Sequence, residues 1–267
     1  MLWSVLQIVP ERHFSMTLLD ELHLDLIHAA DFRIYDTKGV MLPGVPYRIG
    51  VPMAAVRAAA ARIIRSGRSR EFLDEALSPG RVRAHEVLKT TGLVIALDKS
   101  FSLSERLRYA RQYQPFITNW ALCDLFAGSM KCFRAAPEDA FGYIRELIAA
   151  DDPWRIRTGL VFLLSHCLDE AALPRALELS LDRNVLLHAE DAYYVSMGLA
   201  WALSIFYVTD AHLTREAFLE KVSSGDMDPA TARRTAQKIR ESLRVPRAEA
   251  REFKENTDSA IRRSVKR

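Results

Sequence analysis

Cysteine is scarce in this sequence. The 267 residues include three cysteines, Cys123, Cys132 and Cys167, an odd number without Cys-x-x-Cys spacing. This usage argues against a disulfide framework and against a structural zinc site. It favours a reduced, cytoplasmic environment, in which Cys123 is a small buried apolar residue rather than a nucleophile.

Other signals are missing as well. No segment has the ~18 uninterrupted apolar residues of a membrane helix, so we expect no membrane partner. Residues 1–10 are apolar but lack a basic region and a cleavage site, which argues against a signal peptide. The seven histidines show no His-Glu-x-x-His spacing, and Gly-rich phosphate loops and a Gly-x-Ser-x-Gly elbow are absent. We therefore expect neither a metal nor a cofactor.

Charge is distributed unevenly behind a net value of +3. Residues 228–267 contain 12 Lys and Arg against 6 Asp and Glu, whereas residues 1–227 contain 25 against 28. Residues 38–70 contain seven basic residues and no acidic one. Helical spacing would bring Arg57, Arg65 and Arg68 near one face, which predicts either a phosphate-facing strip or a merely solvated face.

Apolar residues recur at helical spacing almost everywhere after residue 15, and strand signals are sparse. Residues 35–52 are rich in Gly and Pro and predict a loop that leads into a helix starting near Pro52 or Met53. Helix boundaries are predicted at Ser78-Pro79-Gly80, Pro115, Pro137, Pro153 and Asp228-Pro229.

Two helices fit between successive boundaries, a period of roughly 35–45 residues that is typical of HEAT-like helical pairs. We therefore predict an all-α protein, a single-domain α-solenoid over residues 1–267 with a concave face, and a compact helical bundle as the alternative. The polar and basic residues 258–267 are expected to fray.

Three strings contain residues suited to chemistry. The first is Asn119-Trp120-Ala121-Leu122-Cys123-Asp124, in which a helix places Trp120 and Asp124 on one face. The second is Asp152-Pro153-Trp154-Arg155-Ile156-Arg157, and the third is Tyr193-Tyr194-Val195-Ser196-Met197-Gly198-Leu199-Ala200-Trp201. An aspartate on an apolar helix is costly to bury alone, so Asp124 either pairs or lines a cleft.

These strings, in this order, resemble the AlkD-like DNA alkylation repair family of HEAT-like repeat glycosylases, and their particular forms look closest to a paralogous branch. The string Ile49-Gly50-Val51-Pro52 followed by Arg57 is similar to an upstream segment of the family. Glu86 before Gly92-Leu93-Val94-Ile95 and the string Gln237-Lys238-Ile239-Arg240-Glu241-Ser242 also fit its pattern.

The resemblance implies a repair glycosylase that hydrolyses the N-glycosidic bond of N3- or N7-alkylated purines in duplex DNA. It implies catalytic roles for Asp124, Trp120 and Trp201, and a contact of Arg157 with the DNA backbone. Arg57 and Arg65 complete the expected DNA-binding set. We expect a monomer whose partner is duplex DNA containing alkylated purines.

Alternative interpretations remain for the same residues. Trp120 and Trp201 are also typical of a core, Tyr193 and Tyr194 of packing, and Arg157 of a simple ion pair with Asp124 or Asp152. The protein as a whole could be a catalytically inactive family member that binds DNA or a protein. It could also be a generic HEAT-like scaffold without affinity for DNA.

Overall fold

The described part of the chain is helical. A computed structural model describes residues 16–31, 33–35, 42, 45 and 47–265, and no strand occurs among them. The principal α-helices are α1 Leu18–His28, α2 Met53–Arg65, α3 Ser69–Ala76, α4 His85–Leu97, α5 Leu103–Tyr113, α6 Trp120–Ser129, α7 Pro137–Ile148, α8 Pro153–His166, α9 Leu173–Ser180, α10 Arg183–Asp191, α11 Tyr193–Thr209, α12 Ala211–Ser224, α13 Pro229–Glu241 and α14 Arg247–Ser264. Short 3-10 helices span Gln114–Phe116 and Lys131–Ala135. The all-α prediction is confirmed for these residues.

Local capping explains several helix starts. Asp152 accepts a hydrogen bond from the backbone N–H of Arg155 (2.8 Å), and Pro153 is the first residue of α8. Asp228 caps α13 in the same way, ahead of Pro229. Pro137 begins α7, and α2 begins at Met53 directly after Pro52. The predicted boundaries at these positions are confirmed, because proline suits the first turn and aspartate suits the cap.

Six helices, mostly every second one along the chain, pack one against another in a continuous series. The consecutive contacts are α2 with α4, α4 with α6, α6 with α8, α8 with α11, and α11 with α13. We call these six helices the inner series. The other helices pack against its members and against one another, as α7 does with α9, α9 with α12, and α12 with α14.

The core is densest around α8. Residues 156–164 of this helix are buried around the whole circumference. The ring of Phe162 lies 5.8 Å from Phe126, 4.8 Å from Phe133 and 5.9 Å from Tyr143, measured between ring centroids. Aromatic side chains bury large apolar areas and favour such tilted and edge contacts. This cluster therefore fixes α6, α7 and α8 relative to one another.

A buried carboxylate anchors the residues that precede α2. Glu86, on α4, accepts hydrogen bonds from the backbone N–H of Ile49 (2.8 Å) and Gly50 (3.0 Å). Gly50 has φ +87, and a Cβ there would lie 2.7 Å from the Cβ of Tyr35, so this position requires glycine. Of the predicted loop, Gly39, Pro43, Gly44 and Pro46 lie outside the described residues, as do residues 1–10.

Two expectations differ from the structure. Residues 258–264, predicted to fray, belong to α14, because Ala260 and Ile261 are buried against the rest of the protein. Residues 266 and 267 lie outside the described residues. Arg68 does not extend the strip of Arg57 and Arg65, because α2 ends at Arg65 and Arg68 instead pairs with Glu71. In the described part of the chain, no helix is long and apolar enough to cross a lipid bilayer.

Candidate functional site

The cap of α6 sets the position of the first string. The side-chain oxygen of Asn119 accepts hydrogen bonds from the backbone N–H groups of Ala121 (3.1 Å) and Leu122 (3.2 Å). Trp120 is therefore the first residue of α6, and Asp124 lies one turn later on the same side. Leu122, Cys123 and their neighbours one turn on face the core, which leaves Trp120 and Asp124 partly exposed.

Asp124 and Arg157 form a two-pronged ion pair between α6 and α8. The Arg157 Nε donates to Asp124 Oδ1 (3.1 Å), and Nη2 donates to Oδ2 (2.9 Å). The Arg157 side chain is 7% exposed and that of Asp124 is 22% exposed. Parallel N–H···O bonds between a guanidinium and a carboxylate are strong and geometrically specific. The pair therefore fixes the plane of the Asp124 carboxylate while 22% of the Asp124 side chain stays exposed.

Arg157 is also held from the other side. Its Nη1 donates to the backbone carbonyl of Tyr194 (2.9 Å), in the first turn of α11. At Gly198, one turn further along α11, a Cβ would lie 3.4 Å from the Arg157 Cγ, so the arginine stem packs closely on this helix. One guanidinium thus connects three consecutive members of the inner series, α6, α8 and α11.

The two predicted cleft tryptophans are both partly exposed. Trp120 lies on α6, and Trp201 lies on α11, where it packs on one side against the core. The open side of α11 is apolar, since its partly exposed residues at helical spacing are Met197, Trp201, Ile205 and Val208. The surface that α11 contributes here is therefore uncharged.

An aromatic cluster of Trp154, Tyr193 and Tyr194, the two tyrosines of which are typical of packing by sequence, reaches the surface next to this pair. The rings of Trp154 and Tyr194 are 4.8 Å apart, and those of Tyr194 and Tyr193 are 5.2 Å apart. Tyr193 is 57% exposed, and the Arg234 guanidinium lies over its ring at 5.4 Å. The aromatic residues at the start of α11 were visible in the sequence, but their exposure depends on how α8, α11 and α13 meet.

The predicted phosphate contacts Arg57 and Arg65 lie elsewhere, on α2. Both side chains are exposed, and neither has a carboxylate within ion-pair distance among the described residues. The structure thus brings Asp124, Arg157 and the Tyr194 carbonyl into contact. It places Arg57 and Arg65 at the first member of the inner series, without a direct contact to that pair.

Neighbouring titratable groups are unsuited to acid, base or nucleophile roles. Cys123 is fully buried, and burial raises the pKa of its thiol to about 12, which leaves it protonated and inert at neutral pH. The buried His166 ring donates from Nε2 to the Ala127 carbonyl (2.8 Å), and burial lowers the pKa of this ring. Among the described residues, no group of three or more His, Cys, Asp or Glu could hold a metal ion.

The arrangement is that of an all-α protein with one oriented, partly exposed carboxylate. A fixed carboxylate at a surface stabilises a developing positive charge and accepts a proton from a water molecule. The family model described as DNA alkylation repair enzyme matches residues 41–239, which is most of the chain and includes Asp124, Arg157 and both tryptophans. The chain belongs to this family, which indicates a role in DNA repair with DNA as the substrate. No curated protein and no solved structure gives a significant match.

Proposed function

We propose that the protein is a DNA glycosylase that hydrolyses the N-glycosidic bond of cationic N3- or N7-alkylated purines in duplex DNA. The observation that supports this most directly is the Asp124 carboxylate, which Arg157 orients with two hydrogen bonds while 22% of the side chain stays exposed. Family membership supplies the substrate class.

The reaction needs little more than such a group. An alkylated purine already carries a positive charge, so the glycosidic electron pair leaves with the base and the base departs neutral. The sugar becomes an oxocarbenium ion, water adds to its anomeric carbon, and one proton is released. Asp124 stabilises the cation electrostatically and accepts the proton of the attacking water.

Arg157 serves as the positioning residue of this site. A carboxylate has about four lone-pair sites, and Arg157 occupies two of them, so the others remain for water or sugar. Arg157 is buried and also donates to the Tyr194 carbonyl, so its guanidinium stays in one position. Its predicted contact with the DNA backbone is made from this fixed position near the lesion.

The rest of the molecule is proposed to supply the DNA-binding surface. The inner series of helices, backed by the other helices, is what a HEAT-like α-solenoid with a concave face requires. Trp120 and Trp201 offer aromatic faces to a cationic base, worth about 0.5–2 kcal/mol each. Arg57 and Arg65 contact phosphates flanking the lesion. The protein acts as a monomer without metal or cofactor.

The test is release of 7-methylguanine and 3-methyladenine from methylated duplex DNA. We expect release by the wild-type protein and a loss of at least about 100-fold in single-turnover rate for Asp124→Asn, since the amide removes the negative charge. Asp226→Asn is the matched control, because Asp226 pairs with Lys221 far along the chain on an exposed turn. Thermal melting of each variant separates lost chemistry from lost folding.

A second candidate is a catalytically inactive family member that binds DNA. The observation that favours it is that both Asp124 oxygens are already engaged by Arg157, beside an uncharged α11 surface. Absence of base release by the wild-type protein, at concentrations well above that of the DNA, would eliminate the glycosylase and leave this candidate. Release that is equal in Asp124→Asn would remove Asp124 from the chemistry.

A further inference from the structure

The last member of the inner series carries two exposed arginines on one face, for which the sequence predicts no contact. Arg233, Gln237 and Arg240 are exposed on α13 and follow one another at spacings of four and three residues, so they share one face. We call this row the α13 stripe. Arg233 and Arg240 are seven residues apart, or about 10 Å along the helix. Neither arginine has a carboxylate within ion-pair distance among the described residues.

The stripe borders a groove between α11, α13 and α14. The groove has a volume of about 510 Å³, and its lining includes Met197 of α11, Arg233 and Gln237 of the stripe, and Lys254 of α14. Met197 is one turn from Trp201 on the open side of α11. The groove therefore adjoins the side of α11 that carries Trp201.

The local charge balance is positive. The two carboxylates in the groove are each neutralised, Glu241 by Lys238 (3.1 Å) and Asp258 by Lys254 (2.7 Å). The Arg234 guanidinium is fixed by donating to Ser196 Oγ (2.7 Å). Arg233, Arg234 and Arg240 form no ion pair within the described residues, so arginine exceeds free carboxylate along this helix. Such a row along an open groove is complementary to a chain of phosphates.

The geometry points to the α13 stripe as a second phosphate-binding element, at the opposite end of the inner series from Arg57 and Arg65. We propose that it binds the backbone of duplex DNA on one side of the lesion, while α2 contacts the other side. This inference rests on the proposed function, because it takes duplex DNA as the partner. It also separates two tasks, with sequence-independent affinity at the two ends of the inner series and chemistry at Asp124 between them.

Binding to unmodified duplex DNA tests the stripe apart from catalysis. We expect the full-length double variant Arg233→Ala/Arg240→Ala to bind roughly tenfold more weakly at low salt, and the slope of log affinity against log salt to fall by about 2, since each phosphate contact contributes about 0.9. The control is Arg108→Ala/Arg145→Ala, which removes two exposed arginines from α5 and α7, outside the inner series. The control should keep the wild-type affinity and slope.

The outcomes distinguish this inference from the glycosylase proposal. Equal affinity and slope in the stripe variant and the wild type would overturn the stripe even if bases are released. The same holds if the wild type fails to bind duplex DNA, or if the control weakens binding as much as the stripe variant. A selective loss in the stripe variant supports it even if no base is released. Thermal melting of both double variants confirms that each is folded.

Discussion

At the residue scale, Arg157 is the side chain on which most of the proposed site depends. We expect Arg157→Ala to lower the free energy of unfolding by about 3 kcal/mol, because it leaves a partly buried carboxylate and the Tyr194 carbonyl without their donor. Urea unfolding measures this. Arg175→Ala breaks the exposed pair with Glu138 and should lower the free energy of unfolding far less, because solvent screens this pair. Similar losses in the free energy of unfolding for the two variants would show that Arg157 does not hold α6, α8 and α11 together.

Sequence reasoning reached the members of this pair but not its arrangement. The spacing of Trp120 and Asp124 follows from the helix, and the Asp152-Pro153 cap fixes where α8 starts, so both helices were predictable from local signals. The sequence allows Arg157 to pair with either Asp124 or Asp152, and Asp152 is the nearer of the two in sequence. The choice depends on the packing of α6 against α8 across 33 residues, which no local pattern encodes.

At the scale of the element, Glu86 connects two segments that are separate in sequence. We expect Glu86→Gln to cost about 1–3 kcal/mol, because the amide keeps one acceptor oxygen whereas the carboxylate accepts from both Ile49 and Gly50. The backbone N–H groups of these two residues should also exchange faster with deuterium. The control is Glu105→Gln, because Glu105 lies on α5 and pairs with the exposed Arg70 of α3. It should leave the exchange of the Ile49 and Gly50 N–H groups unchanged.

The sequence does not predict the role of Glu86, although Glu86 fits the family pattern. Its partners lie 36 and 37 residues upstream and are backbone groups, so no side-chain pattern reveals them. The end of α14 is the opposite case. Phe253, Thr257, Ala260 and Ile261 have helical spacing and are buried, but the density of charges between them concealed that apolar face.

At the scale of the whole molecule, α14 is the last described helix and packs against α12 and α13. We expect Ile261→Ala to cost about 2–4 kcal/mol, because Ile261 is 5% exposed and its loss leaves a cavity beneath the last turns. Chemical denaturation measures this. Leu243→Ala is the control, since Leu243 is 103% exposed. An effect of Ile261→Ala as small as that of the control would show that the end of α14 is not packed, as the sequence predicts.

Arg157 has a further consequence for how the molecule opens. The main contacts of the inner series run between consecutive helices, as from α6 to α8 and from α8 to α11. In such an array, stability is roughly a sum of nearest-neighbour interfaces, and local unfolding can stop at any of them. Because Arg157 bonds to α6 and α11 at once, separating either helix from α8 breaks a bond of the same side chain. We therefore expect these three helices to unfold together as one cooperative unit, and this unit contains the proposed catalytic site.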